Sequence, residues 1–239
     1  MSHLTKLSDT VALTDAVAMP EVGVVVDQAP ENLAEAALKA GFRHLICNQA
    51  NLPAVQAAIA QSGLPADASF VTVRLAAGEQ LALAAPVALI VAGGDDASRQ
   101  AATQAVATGQ AQAQALSGEL ASDAALVVLP LGVTQQQREA VKAAKAAGLK
   151  VASDLPFGKG DLSLLRPLRR MAERYGKTPQ QVVIRWLLQS GVWPWLPATT
   201  TEALTEWGAV FDFELSFHDT QVLAALDGRP MAPRKHRRH

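Results

Sequence analysis

Cysteine is all but missing from this chain. Cys47 stands alone among 239 residues, so no internal disulfide can form. That suits a reducing compartment, and with no base beside it in sequence the thiol reads as a buried, inert group rather than a nucleophile. Aromatic residues are scarce at 5%, with one tyrosine, Tyr175. An excess of charge of either sign is missing too: the formal net charge is -1, which argues against nucleic acid or an acidic membrane surface as the main partner. No apolar run reaches the length of a membrane span, and the opening MSHLTKLSDT lacks the charged-then-apolar pattern of a signal peptide. A cytoplasmic location is the expectation. The one local excess is the basic tail at 234–239, Arg-Lys-His-Arg-Arg-His. It reads as a solvated chain end, with contact to an anionic surface as the other reading.

What is present points to one soluble globular domain, expected over 1–233, since 49% of residues are hydrophobic and 18% charged. Nearly continuous apolar runs alternate with Ala-rich helical runs, with no linker between them. Strands are expected at Val22–Val26, Phe42–Cys47, Phe70–Leu75, Val87–Ala92, Ala111–Leu116, Leu126–Leu129, Val151–Ser153 and Val192–Leu196. Helices are expected at Glu31–Ala40, Pro53–Ser62, Ala97–Thr108, Gln135–Ala147, Ser163–Tyr175, Thr178–Ser190 and Thr201–Trp207. Gly41, Gly63, Gly148, Gly176 and Gly191 sit where left-handed C-caps belong, and Thr178-Pro179 is an N-cap followed by a helix-starting proline. Eight strands alternating with helices favour a closed parallel (β/α)8 barrel. A hairpin over Thr10–Leu13 and Met19-Pro20 is expected to close its floor.

Two outer helices look shortened or lost. Only Gly78–Ala85 separates the third and fourth strands, and only Glu119–Asp123 separates the fifth and sixth. The fifth strand reads AQAQAL, with glutamines where a buried strand should hold Val or Ile.

Several segments resemble the aldo-keto reductase family, in particular its bacterial diketogluconate reductase type. LTDAVAMPEVGVV resembles the family's N-terminal hairpin and first strand, ENLAEAALKAGFRHL its first helix and second strand, and ASFVTVRL its third strand. YGKTPQQVVIRWLLQSG is similar to its seventh helix, the most specific of these matches, and VFDFELS to its C-terminal end. The resemblance implies the family's barrel and NADPH-dependent reduction of aldehydes and ketones. That chemistry uses a tyrosine as proton donor, a lysine–aspartate pair that lowers its pKa, and a histidine that orients the carbonyl.

Set against the family motifs, those four positions are replaced. The G-Y-R-H-I-D-T-A-x-x-Y motif falls on Gly41–Asn51, putting Ile46 at the aspartate and Asn51 at the tyrosine. F-V-T-T-K-L falls on Phe70–Leu75, putting Arg74 at the lysine; an arginine is not deprotonated in a protein. L-I-H-W-P falls on Leu89–Gly93, putting Val91 at the histidine. Tyr175 lies at a helix end on the outer ring and does not stand in. His44 matches a family histidine beside the strand, and reads as structural.

The cofactor positions implied by the resemblance are thinned as well. Ala198 takes the phosphate-binding lysine, a residue near Thr205 the arginine, and Asp154 the tyrosine that stacks on the nicotinamide. Ser117, Phe157, Gly158, Thr199 and Thr200 remain as cofactor-binding candidates, although tight turns also explain small residues there. Gly93-Gly94-Asp95-Asp96 reads as a strand-to-helix turn with a capping aspartate; the alternatives are a phosphate or metal loop. Pro156–Gly160 is a turn with some capacity to cradle an anion. New polar residues gather at strand C-terminal ends: Asp27, Asn48, Asn51, Arg74 and Asp154. These replacements favour a degenerate barrel that cannot run the family reaction, whether a binding or regulatory protein or a remnant. Two alternatives are an active NAD(P)H-dependent carbonyl oxidoreductase with a non-standard site, and a repurposed Asp27, Arg74 and Asp154 pocket for a small anionic ligand. The expected partner is a small molecule or a protein, not nucleic acid or membrane, and no metal site is expected.

Overall fold

The computed structural model describes residues 5–231; the basic tail at 234–239 lies outside them. A short antiparallel hairpin, β1 (Thr10–Ala12) and β2 (Ala18–Pro20), precedes the barrel. The barrel strands are β3 (Gly23–Val25), β4 (His44–Asn48), β5 (Phe70–Arg74), β6 (Val87–Ala92), β7 (Ala111–Ser117), β8 (Leu126–Leu129), β9 (Lys150–Ser153) and β10 (Trp193–Pro197). They are parallel, in chain order, and closed by β10 pairing with β3. The outer ring holds α1 (Pro30–Lys39), α2 (Leu52–Gln61), α3 (Asp96–Ala107), α4 (Arg138–Ala146), α5 (Arg166–Tyr175), α6 (Pro179–Gln189) and α7 (Thr201–Gly208), followed by α8 (Phe217–Ala224). The chain is therefore a (β/α)8 barrel, as its alternating pattern implies.

Strand alternation divides the buried residues into two populations. Ile46, Phe70, Leu89, Val91, Ala113, Ala115, Val128, Trp193 and Trp195 fill the lumen over Met19, while Leu45, Cys47, Val73, Ile90 and Leu116 face the helices. The five capping glycines all take positive φ, which closes each helix without a Cβ clash.

No helix forms between β5 and β6 or between β7 and β8. In the first gap the loop lays Leu81 and Leu83 on the outer core, and Gln49 pins it by donating to the Gln80 carbonyl at 2.8 Å and accepting from the Ala82 N–H at 2.9 Å. In the second gap the glutamines of β7 explain themselves. They point outward, and the lumen side of that strand is alanine. Gln112 is exposed, whereas Gln114 is only 7% exposed. Its amide donates to the Asp123 carbonyl at 2.9 Å and its oxygen accepts from Thr103 Oγ1 at 3.1 Å. Arg99 adds ion pairs to Glu119 (3.1 Å) and Asp123 (3.2 Å). A polar network thus holds the wall where a helix would have packed, which corrects the expectation of a β-branched residue at those positions.

Some helix boundaries also differ from expectation. The fifth helix starts at Arg166 rather than Ser163, after a separate 3-10 turn over Leu162–Leu164. The fourth helix starts at Arg138 rather than Gln135, because Gln137 takes a left-handed conformation with φ of 46°. The eight-residue α8 follows the acidic-aromatic segment, capped by Ser216, which accepts from the Asp219 N–H. The segment from Tyr175 to Asp219 is tied together by polar contacts. Thr178 and Gln181 form a capping box, and Gln181 Nε2 reaches the carbonyls of Glu206 (2.8 Å) and Ala209 (3.0 Å). That fixes the end of α7 against α6.

Candidate functional site

Strand C-terminal ends form the mouth of a parallel barrel, where ligands bind in this architecture. Alternation directs Asp27, Asn48, Arg74, Ser117 and Asp154 towards that mouth, just above Ile46, Val91 and Trp195. A cavity of about 290 Å³ lies there, lined by Asn48, Arg74, Glu79, Val91, Ser117, Val128, Asp154 and Trp195 among others. A larger groove, about 930 Å³, is at the opposite end and the outer wall beside β5. Among its described lining residues the one cation, Arg43, already donates to the carbonyls of Leu38 (3.0 Å) and Phe42 (2.7 Å), so the mouth holds the better chemistry.

The polar residues of the mouth form a linked set. Arg74 is ion-paired with Asp27 Oδ2. Asp27 Oδ1 accepts the Asn48 N–H at 2.8 Å, and Asn51 Nδ2 donates to the Asp27 carbonyl at 3.2 Å. Asn48 in turn caps the following turn by accepting the Asn51 N–H at 2.9 Å. Asp154 borders the same cavity but makes no ion pair with Arg74. Burial pushes its carboxyl above the usual carboxylate range, against a weaker pull from the Arg74 charge. Arg74 therefore pairs with Asp27, and Asp154 stands apart from the pair.

Among the described residues, five buried side-chain polar atoms have no hydrogen-bond partner. Three of them, Arg74 Nε, Asp154 Oδ1 and Trp195 Nε1, belong to residues lining this one cavity. Buried polar groups are normally satisfied, so this clustering marks the mouth. Trp195 had no site role in the sequence reading. The signal was present in Trp-Pro-Trp-Leu-Pro, where period-two spacing sends both indoles into the lumen and each N–H there needs a partner.

The residues that the sequence resemblance sets against catalytic positions have the following surroundings. Ile46 is wholly buried, and a Cβ on Gly23 would come within 2.5 Å of its Cδ1, so a bare glycine on β3 makes room for this wedge. Val91 is 3% exposed and offers no polar atom. Tyr175 is on the outer ring, where its hydroxyl donates to Asp219 Oδ2 at 2.6 Å. His44 is wholly buried on the barrel floor, with Nε2 2.8 Å from Thr72 Oγ1 and Nδ1 3.3 Å from the Pro20 carbonyl. Burial pushes its pKa down to about 3, so it is a neutral structural group. Cys47 is buried, and burial with the nearby Asp27 charge pushes its thiol up to about 12.

The five cofactor-binding candidates are spread over the end of β7, the loop after β9 and the loop before α7. Ser117 lines the mouth cavity. The ring of Phe157 packs against Trp207, centroids 5.0 Å apart. Gly158 lies under Met231, where a Cβ would be 2.6 Å from Met231 Cε. Thr200 caps α7 by accepting the Ala203 N–H at 3.4 Å, and Thr199 is exposed. Asp95 caps α3 through the Ser98 N–H at 2.9 Å and accepts the Gly78 N–H at 3.0 Å, which accounts for the Gly-Gly-Asp-Asp turn. Among the described residues no cluster of His, Cys, Asp or Glu suits a metal ion, and no helix is long and apolar enough to cross a membrane.

Comparisons with known proteins agree with the barrel. No protein-family profile matches the chain. An aldo-keto reductase of Mycolicibacterium smegmatis is 27% identical over 266 residues, covering 95% of this chain and 97% of its own. The methylglyoxal reductase DkgA of Salmonella typhimurium is 39% identical over 67 residues, which is 28% of this chain and 24% of its own. Among solved structures, an aldo/keto reductase from Brucella melitensis superposes with a TM-score of 0.82 at 22% identity, covering 92% of this chain and all of that one. A Bombyx mori aldo-keto reductase in complex with NADP gives 0.78 at 17% identity, covering 92% and 93%. The class is a (β/α)8 barrel with a polar mouth. Within that class, the chain is similar in sequence to aldo-keto reductases and shares their fold.

Proposed function

We propose that this chain is an aldo-keto-reductase-like barrel that does not carry out NADPH-dependent reduction of aldehydes or ketones, and that it works as a binding or regulatory protein. The observation that carries this reading is the lumen at the four catalytic positions. Ile46 and Val91 are buried hydrocarbon, Asn51 has no acidic proton, and Arg74 is held by Asp27. Carbonyl reduction needs a proton donor beside the developing alkoxide, and the chain's phenol is committed to Asp219 on the outer ring.

The residues present do not fit a bound NADPH. The family's phosphate-gripping lysine position is Ala198, 2% exposed within the core, so no charge meets a 2′-phosphate there. Phe157 and Gly158 are engaged by Trp207 and Met231. Asp154 stands where the nicotinamide would stack on a ring, and a carboxyl offers no such surface. One relative is named a methylglyoxal reductase, so methylglyoxal with NADPH is the direct test of turnover. No oxidation of NADPH above the enzyme-free rate is expected, and steady turnover that tracks protein concentration contradicts the proposal.

A further inference from the structure

We infer that the outer face of α5 docks on an anionic phospholipid surface, with Leu164 and Phe217 entering the lipid at its two ends. This face lies on the outer ring, away from the mouth, and its role is independent of whether the barrel reduces carbonyls. The near-zero total charge conceals a division. Residues 1–123 hold five basic and twelve acidic side chains, a net of -7, whereas residues 124–177 hold ten basic and four acidic, a net of +6. A neutral total therefore does not argue against an acidic surface for that second stretch.

Helix α5 concentrates the positive charge. Leu168, Met171 and Ala172 are its buried face, and the opposite face carries Arg166, Arg169, Arg170, Glu173 and Arg174, all exposed. Arg166, Arg170 and Arg174 succeed one another four residues apart, which lines them up along one side of the helix. Glu173 pairs with Arg169 at 3.9 Å and Asp219 pairs with Arg174. Among the described residues Arg166 and Arg170 make no ion pair. Like charges at this spacing repel and weaken a helix, so the row is destabilising in the free protein and is relieved by an anionic partner.

Apolar side chains select lipid as that partner. Among the described residues three large hydrophobic side chains are exposed, and two of them border this row. Leu164, 47% exposed, lies in the turn just before α5. Phe217, 80% exposed, opens α8, whose Asp219 holds Arg174 and Tyr175 at the far end of α5. Basic groups flanked by an aliphatic and an aromatic side chain fit an interface where cations meet headgroups and apolar groups enter the acyl boundary. Nucleic acid would use the arginines and leave Leu164 in water. The basic tail joins the same side. Met231, the last described residue, lies against Gly160, where a Cβ would be 2.8 Å from its own Cβ, four residues before Leu164 in the chain. Arg234, Lys235, Arg237 and Arg238 follow it in sequence. Stable attachment to a membrane surface takes two signals, and here they are charge and the two apolar anchors.

The test is flotation of the full-length protein with phosphatidylcholine vesicles that contain or lack phosphatidylserine. Binding is expected to the anionic vesicles alone, and it should fall as salt rises. Arg166→Gln combined with Arg170→Gln should weaken it at least about tenfold, since each basic residue near such a surface contributes about fivefold. Lysine at both positions should bind nearly as well as the native protein. Phe217→Ala should weaken binding about tenfold through its lost apolar area. These side chains are exposed, so circular dichroism should show an unchanged fold in every variant. Removal of residues 234–239 should weaken binding and leave the effect of the arginine substitutions in place. Absent binding, equal binding to neutral vesicles, or unchanged binding in the arginine or Phe217 variants would each overturn the inference. Tighter binding to a duplex oligonucleotide, indifferent to Phe217→Ala, would assign the face to nucleic acid and overturn it as well.

Discussion

Acid titration of the barrel floor gives a sharp test of how this lumen is packed. His44 is buried between Pro20, Thr72, Phe70 and Trp195, and its pKa falls from 6.5 to about 3. The sign follows from proton counting. Between those two values the unfolded chain binds a proton that the folded barrel refuses, so stability is fully present above about 6.5 and is lost as pH falls towards 3. The slope is about 1.4 kcal/mol per pH unit, or ~2 kcal/mol between pH 6.5 and 5. Glu21 works in the opposite direction. Burial raises its carboxyl from 4.5 to about 7, against hydrogen bonding to Trp193 and the Lys150 charge. Its contribution is complete below 4.5 and is lost as pH rises through 7. The two groups nearly cancel in the native protein between about 4.5 and 6.5. His44→Asn removes one of them. At pH 7.5 the variant should be about 2–4 kcal/mol less stable, from the lost contacts and the altered cavity. That deficit should shrink by about 2 kcal/mol at pH 5, because Glu21 is common to both proteins and drops out of the difference. Urea unfolding followed by tryptophan fluorescence at pH 7.5, 6 and 5 measures it. A deficit that stays constant with pH would refute the buried neutral imidazole.

Other expectations follow from single contacts. Gln114→Ala should cost about 2 kcal/mol in chemical denaturation, since it removes the hydrogen bonds of a nearly buried amide to Asp123 and Thr103, while Gln112→Ala on the exposed part of the same face should stay within about 0.5 kcal/mol. Equal effects would mean that the polar network does not replace the missing helix. Tyr175→Phe should lose about 1–2 kcal/mol of stability through the Asp219 and Ser216 contacts, read by chemical denaturation. In a thiol-labelling assay at pH 8, folded Cys47 should stay unmodified and react only after denaturation; prompt labelling of the folded protein would contradict its burial.

Much of the fold is written in local chemistry. Apolar runs such as Val87–Ala92 and Leu126–Leu129 are strands with those same bounds, because strands buried on both faces carry little else. Glycine caps and the Thr178 capping box fix helix ends through interactions spanning a few residues. The helix α8 was less legible: it is short, begins with an exposed Phe217, and owes its position to Asp219 meeting Arg174 and Tyr175 from another helix. Gln114 misleads for a similar reason, since its partners Thr103 and Asp123 lie on separate elements. At the mouth, the sequence placed Asp27, Arg74 and Asp154 at strand C-terminal ends without choosing which carboxylate pairs with Arg74. It could not tell that Asp154 is left unpaired or that Trp195 has an idle N–H, because both depend on what is absent around them. The Phe157–Trp207 contact joins residues fifty positions apart and leaves no local trace.

Titration with NADPH, followed by nicotinamide fluorescence, tests the central claim most directly. The account predicts no saturable binding at micromolar cofactor, because Ala198 offers no charge to the phosphate and Phe157 and Gly158 are covered by Trp207 and Met231. Saturable micromolar binding with enhanced nicotinamide emission would contradict it.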